Sequence, residues 1–508
     1  MEDADTLYQR AFAAYRAGQP TDAEARLGDL LARAPGDARA LLLKSVVHDK
    51  AEPAVCLSLV EQAVHLDPFG AEGWYNLAVF EAERGRLAAA LVGYRRTVLL
   101  DPFHVNALGN GCELLRRFDH FDEALAWADR QIVLGRESWA AHLNRAVCLL
   151  HLRRMDEAEA AFKTALAIDP ARPIVRWEMF PLYLHQRRFG QAWESFEERF
   201  ACGHLNGVHA YPFEAPPWRG EDLAGRHIVI HNEQGLGDQI MFAAALAEVI
   251  AVAGRVSIVV SPELEGLFKA SFPTARLFAA RVGRFAGDHP PPSWLGELGE
   301  PDFQLPIGGL MHRLRSGAGA FAGAGPYLAP SPAARARWKS LVAAKAPRRK
   351  GLRVGLCWAS NPALFRLDSS RRAAKKSMAL EVMAPLAKVK GVQLISVLNW
   401  PIDPMPPAFK GKLLDLSAEL RSLDDTAALI ESLDLVITVD TAAAHLAGAL
   451  GAPVWLLLHD FADCRWGLTG EDSYWYPSMR LFRQAAPGDW AEVIGRVKAQ
   501  LGDVAAAA

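Results

Sequence analysis

Along the first two hundred residues, apolar positions recur at helical spacing and the whole pattern returns after 34 residues. Pro68, Pro102 and Pro170 each follow an aspartate, in Leu66-Asp67-Pro68, Leu100-Asp101-Pro102 and Ile168-Asp169-Pro170, so their separations are one and two units of 34. Pro35 precedes Pro68 by 33. Small and large residues keep the same step. Over 71–104, Ala78 and Ala90 permit two helices to approach, Tyr94 fills the groove between them and Pro102 ends the second; over 139–172 the same places hold Ala146, Ala158, Phe162 and Pro170. Weaker copies run over 4–37, 38–70 and 105–138, and a last one from Pro173 carries Ala192 and Phe196 in register, which predicts about six helix pairs. Gly18-Gln19-Pro20 and Arg84-Gly85-Arg86 read as turns inside the pairs, because glycine and proline punctuate helices.

A helix-turn-helix period of this length marks a solenoid of the tetratricopeptide (TPR) type. Such arrays offer a concave groove to an extended or helical peptide, so a protein partner is the functional expectation. The plainer alternative is an array that only self-associates or braces the rest of the chain.

After Phe200 the period disappears. The stretch 202–226, rich in Gly, His, Pro and Trp, reads as a linker packed on a surface. Beyond it, strands are predicted at 227–231, 256–260, 352–358, 392–398, 433–439 and 454–458, alternating with helices at 239–252, 380–389, 424–432 and 442–450. Alternation of this kind implies parallel sheet covered by helices on both faces. The pattern weakens between 261 and 330. The expected architecture is a TPR α-solenoid over 1–200, a linker over 201–225, and two Rossmann-like α/β domains over 226–335 and 336–508 that face each other across a cleft.

Composition narrows the function classes. The 508 residues are 51% hydrophobic and 22% charged, a globular balance that excludes wholesale disorder and fibrous repeats. A net charge of −2 supplies no global field for nucleic acid or an anionic membrane, so neither is an expected partner. Six cysteines, at 56, 112, 148, 202, 357 and 464, form no C-x-x-C pair, which argues for reduced, buried thiols rather than a zinc or disulfide framework. The start, Met1-Glu2-Asp3, is acidic where a signal peptide is basic, and the apolar run 435–458 is broken by Asp440, His445 and Gly451-Ala452-Pro453. A cytoplasmic protein is expected.

Three elements carry candidate chemistry. In Glu233-Gln234-Gly235-Leu236-Gly237-Asp238, between a strand and its helix, Gly235 and Gly237 allow a tight turn with exposed amides suited to an anion or a sugar ring. Ile240 stands where a dinucleotide fingerprint needs its third glycine, and no acidic residue ends the next strand. Asp238 is the candidate general base; its plain structural reading is a carboxylate serving the helix dipole. Second, the strand ending in Asp440-Thr441 opens a helix of small residues, with His445 one turn on. Thr441 and the amides after it suit a diphosphate, against an N-cap and a core histidine as the plain reading. Third, Ser360-Asn361 is followed by Arg366, Arg371, Arg372, Lys375 and Lys376, a local counter-charge for phosphate in a neutral chain.

These motifs, with Gly451-x-Pro453, Trp475-Tyr476-Pro477 and the run from Arg480 to Gln484, resemble bacterial TPR-fused glycosyltransferases. The catalytic half is similar to the lipopolysaccharide heptosyltransferases (glycosyltransferase family 9) and more distantly to the O-GlcNAc transferase. The resemblance implies a GT-B fold and metal-independent transfer from a nucleotide sugar, without a further cofactor. It assigns Asp238 as base, Asp440, Thr441 and His445 to the donor, and Lys376 to phosphate, with Lys375 as second choice; Gly235 and Gly237 join the donor site on the reading of the loop itself. Ala442 stands where the family has glycine. It also implies a protein acceptor in the TPR groove, with flagellin and a nonulosonic acid such as pseudaminic acid as the leading pair. The rival class is a non-catalytic TPR scaffold with a degenerate transferase half.

Overall fold

The structure is a computed structural model that describes residues 2–48, 52–134, 138–202, 211, 213–281, 294–321, 325–348, 351–360 and 375–507. It divides into two compact units, 1–175 and 176–508.

The first unit is built from antiparallel helix pairs: α1 (Ala4–Arg16) with α2 (Pro20–Arg33), α3 (Ala38–Val47) with α4 (Pro53–Leu66), α5 (Ala71–Glu83) with α6 (Leu87–Leu100), α7 (Val105–Arg117) with α8 (Phe121–Val133), and α9 (Trp139–His151) with α10 (Met155–Ile168). The residues expected at the helix crossings are buried there: Ala78, Ala90, Ala146, Ala158 and Phe162 have no exposed surface. Close approach is strict at Gly111, where a Cβ would meet the Trp127 ring at 2.3 Å. Where the turn within a pair is described throughout, it carries a left-handed residue, as Gly18 does (φ 71°) in the first pair. Gly85, Asp119 and Arg153, with φ of 73°, 63° and 61°, stand 34 residues apart, and Arg187 (φ 56°) holds the same place in the sixth pair. The step thus survives where the glycine does not, because pairing with the preceding helix fixes the conformation that glycine only makes easier.

The sixth pair, α11 (Pro173–His185) and α12 (Phe189–Glu197), falls almost entirely in the second unit. Its aromatic face explains why. Trp193 is fully buried, lies 6.5 Å from Phe242 and 6.0 Å from Trp475 between ring centroids, and donates its indole N–H to the Arg315 carbonyl at 3.0 Å. Arg199, just beyond α12, has no exposed surface and forms a two-pronged pair with the equally buried Glu233, Nε to Oε2 at 2.6 Å and Nη2 to Oε1 at 2.8 Å. Glu233 Oε1 also accepts the Gly308 N–H at 2.8 Å, while Arg199 Nη1 donates to the Phe196 carbonyl at 2.8 Å.

The rest of this unit holds two parallel sheets. The first has strand order β3-β2-β1-β4, from β1 (His227–His231), β2 (Arg255–Val260), β3 (Arg276–Ala279) and β4 (Phe303–Pro306). The second has order β10-β9-β8-β5-β6-β7, from β5 (Leu352–Cys357), β6 (Val392–Ser396), β7 (Leu413–Leu414), β8 (Leu435–Val439), β9 (Val454–Leu458) and β10 (Met479–Arg483). Around them lie α13 (Leu236–Phe242), α14 (Leu246–Val252), α15 (Glu265–Ser271), α16 (Trp294–Leu298), α17 (Gly309–Leu314), α18 (Pro332–Lys345), α19 (Leu423–Glu431), α20 (Ala442–Ala449) and α21 (Trp490–Ala507). An α-solenoid followed by an α/β region is therefore what the chain forms. The predicted helix 239–252 is two short helices joined by a 3-10 turn at Ala243–Ala245, and 380–388 is 3-10 rather than α, with Pro385 inside it. Among the described residues, no helix is long and apolar enough to cross a membrane.

Removing one partner of a buried ion pair strands the other's charge, at a cost of about 3–5 kcal/mol. Arg199→Met should therefore lower the unfolding free energy of the second unit by an amount in that range, read as a lower urea midpoint. An unchanged midpoint would show that Glu233 finds another partner.

Candidate functional site

Open parallel sheets bind ligands at the carboxyl ends of their strands, at the point where successive connections leave in opposite directions. In the first sheet that point is the end of β1, which β2 and β4 flank; in the second it is the gap between β5 and β8. The glycine loop follows β1 and Asp440-Thr441 follows β8, so both motifs stand at such points.

The turn after β1 is built differently from its expected form. Its left-handed residue is Gln234 (φ 58°), whereas Gly235 has an ordinary φ of −84° and caps α13. The helix begins at Leu236 instead of 239, and Asp238 lies in its first turn, where Oδ2 accepts the Gly235 N–H at 3.1 Å. Gly237 answers to packing: a Cβ there would lie 2.9 Å from His445 Cδ2 and 3.7 Å from Ala442 Cα. Its absence lets α13 rest on α20. Glu233 is spent on Arg199, and His231, held in the core by Gln304 at 2.9 Å, has its pKa pushed down to about 4 by burial. Neither is placed to serve as a base.

Across from α13, Arg465 sits in the 3-10 turn Cys464–Trp466 that follows β9. Its Nη1 meets Asp238 Oδ1 at 2.7 Å, its Nε meets Asp463 Oδ1 at 2.9 Å, and Nη1 also lies 3.4 Å from His445 Nε2. A guanidinium only donates, so Nε2 is the accepting nitrogen, and Nδ1 carries the hydrogen toward the Tyr476 hydroxyl oxygen at 2.9 Å. Burial, then the neighbouring Arg465 charge, pushes His445 down to about 4, which makes it a neutral imidazole at pH 7. Trp466 stacks on it, with ring centroids 5.2 Å apart.

Lys376 and Asp440 form the adjoining pair at 2.6 Å, with Asp440 5% exposed. Burial penalises both charges, yet Asp440, followed by Asp463, holds the Lys376 pKa above the ordinary lysine value, and Lys376 holds Asp440 below that of a free carboxylate. Burial likewise opposes the Asp463 charge, and Arg465 overcomes it. Thr441 caps α20 by position without a side-chain bond to its amides; its hydroxyl turns toward Cys357 Sγ (3.6 Å) and Thr438 Oγ1 (3.5 Å).

The structure thus gathers Gly237, Asp238, Lys376, Asp440 and His445 around Arg465, with Thr441 opening the helix that carries His445. Asn361, Arg366, Arg371 and Arg372 lie outside the described residues. Arg465 and Asp463 were missed from the sequence, although Asp463-Cys464-Arg465 follows a predicted strand at its carboxyl end, the side where ligands bind.

Both parts of the chain have counterparts among known proteins. Residues 8–52, 53–103 and 111–173 match the tetratricopeptide repeat family, and 407–466 match glycosyltransferase family 9 (heptosyltransferase). The second match contains Asp440, Thr441, His445, Asp463 and Arg465. Protein FlbA of Caulobacter vibrioides is 29% identical over 460 residues, which span 86% of this chain and 74% of FlbA. Together these matches support a TPR-fused glycosyltransferase. Among solved structures, Pseudomonas aeruginosa PilF is similar at 16% identity over 40% of this chain and 92% of that one, with a TM-score of 0.34. YrrB, described as a TPR protein with an unusual peptide-binding site, is similar at 15% identity over 36% and 94%, with a TM-score of 0.32. The solenoid rests on its own helix pairs rather than on these likenesses.

The buried histidine has a pH signature. The unfolded chain protonates His445 near 6.5 and the folded one near 4, so unfolding takes up a proton between those values. The contribution is complete above pH 6.5 and falls as the pH drops toward 4, by at most about 3 kcal/mol. Urea unfolding of wild type and His445→Gln across this window should show their difference shrinking with acidification. A constant difference would mean that His445 does not change its proton affinity on folding.

Proposed function

We propose that the chain is a GT-B glycosyltransferase that moves a sugar from an activated nucleotide sugar to a Ser or Thr hydroxyl of a protein recruited by its TPR array. The observation that carries this reading is the Asp440-Thr441 helix start at the end of β8, inside the family 9 match, with Lys376 and Arg465 beside it. Open amides at a helix N-terminus favour an anionic group, and cationic side chains add charge-assisted hydrogen bonds. In this reading they take the negative charge of the departing nucleotide phosphate, and no divalent cation is required.

Asp238, delivered from the opposite sheet, is the general base. It accepts the proton of the acceptor hydroxyl while that oxygen bonds to the anomeric carbon, and the phosphate oxygen leaves with the electrons of the broken C–O bond. Gly235 and Gly237 bring the start of α13 close to the donor, and neutral His445 backs the helix that holds the phosphate. Flagellin with a nonulosonic acid, from a cytidine-monophosphate donor, is the first acceptor pair to test on the strength of the resemblance, and nucleotide-sugar chemistry suits a cytoplasmic site.

The deciding experiment incubates the full chain with candidate acceptors and a panel of nucleotide sugars, and follows the acceptor by intact mass. Gain of one sugar residue is the expected result. Asp238→Asn keeps the size and removes the base, so it should fall below about a tenth of wild-type turnover, since general-base help is typically worth ~10²–10⁴-fold. Retained turnover would move the base elsewhere. A scaffold would bind the acceptor and neither transfer nor hydrolyse any donor.

A further inference from the structure

Arg465 belongs to no motif read from the sequence, yet it meets Asp238 from the glycine loop and His445 from the Asp440-Thr441 helix. Asp463 grips its guanidinium from one side, through Nε at 2.9 Å and Nη2 at 3.3 Å, and also accepts its backbone N–H at 3.2 Å. The Arg465 carbonyl accepts the Trp475 indole N–H at 3.1 Å. These bonds fix the base of the side chain. Nη1 is the end that remains, and it faces Asp238 at 2.7 Å and the neutral His445 at 3.4 Å.

The local charge makes that arrangement provisional. Asp238, Asp440 and Asp463 are three carboxylates against two cations, Arg465 and Lys376, and Lys376 is already paired with Asp440. An anion arriving at the start of α20 therefore finds cationic donors that are occupied, and it gains a strong partner only by drawing one from its carboxylate. Arg465 is the one able to change partner, because Asp463 holds the rigid guanidinium through Nε and Nη2 and keeps Nη1 in place while the Asp238 side chain gives way. Resting on the donor site and base proposed above, we propose that Arg465 is a shared cation: its Nη1 clamps Asp238 when no donor is bound and passes to the donor phosphate when the donor binds. The exchange frees the Asp238 carboxylate to accept a proton only once a donor is present. It also places an extra negative group near that carboxylate, which favours its protonated form. Donor binding and base activation are then one event, and an empty site holds no free base.

The test is calorimetric titration of the full chain with inorganic pyrophosphate. If the phosphate has to displace Asp238 from Nη1, Asp238→Asn removes the competitor, and pyrophosphate should bind about three- to tenfold tighter than to wild type. Arg465→Gln should bind about 10- to 100-fold more weakly, and Arg465→Lys, which keeps a cation, should recover most of that loss. In the double variant Asp238→Asn/Arg465→Gln the gain from Asp238→Asn should shrink, because it acts through Arg465. Equal or weaker binding by Asp238→Asn overturns the shared-cation proposal and leaves the phosphate site standing. Wild-type affinity in Arg465→Gln does the same. Failure of wild type to bind pyrophosphate removes the donor site itself, and the proposal with it. Should Asp238→Asn fail to fold, the loss in Arg465→Gln and its recovery in Arg465→Lys decide.

Discussion

A guanidinium only 18% exposed cannot be left without carboxylates, and Arg465 draws its carboxylates from two different sheets. Asp463 reaches it from the loop after β9 and Asp238 from the first turn of α13. For Asp238 to arrive, α13 must rest on α20, and a side chain at position 237 would collide with His445. For His445 to stay buried beside a cation it must be neutral, as burial and the Arg465 charge make it, and Tyr476 fixes the tautomer by accepting a hydrogen bond from Nδ1. Tyr476 in turn lies against Gly448, where a Cβ would come within 2.4 Å of the ring. One ion pair thus sets the requirements for two glycines, a tautomer and the docking of two helices.

A second buried guanidinium does comparable work behind the site. Arg199 joins the end of α12 to Glu233, and Glu233 stands immediately before the left-handed Gln234. The loop that presents Asp238 is therefore held at its root by the last helix pair of the repeat. The aromatic contacts of Trp193 with Phe242 and Trp475 fasten the same pair to residues of both α/β halves. The sixth pair is repeat in sequence and part of the α/β unit in packing, which is why the compact unit begins at 176 rather than after it.

Much of this was legible in the sequence, and the reason differs from element to element. The solenoid could be read because each repeat solves one packing problem with the same small residues, so Ala78 and Ala146 report on each other. Strands such as β8, buried along its whole length, announce themselves as apolar runs. β3 and β4 do not: each has four residues and only one of them fully buried, which leaves too little apolar signal in a Pro- and Gly-rich stretch. Asp238, Asp440, Thr441 and His445 were found because they sit within motifs of contiguous residues. Arg465 was not, since its importance lies in meeting Asp238, 227 positions earlier, and no local pattern encodes that encounter.

The charges also explain why the motif residues take roles other than those their types suggest. An aspartate at the start of a helix serves the helix dipole and a lysine near it suits an anion, yet here Asp440 holds Lys376 and Asp238 is held by Arg465. A site that kept two bare cations among half-buried walls would bear a large desolvation cost while waiting for its ligand. Pairing each cation with a carboxylate lowers that cost and keeps the side chains in place. The same pairing makes an incoming anion compete, so affinity is given up for order.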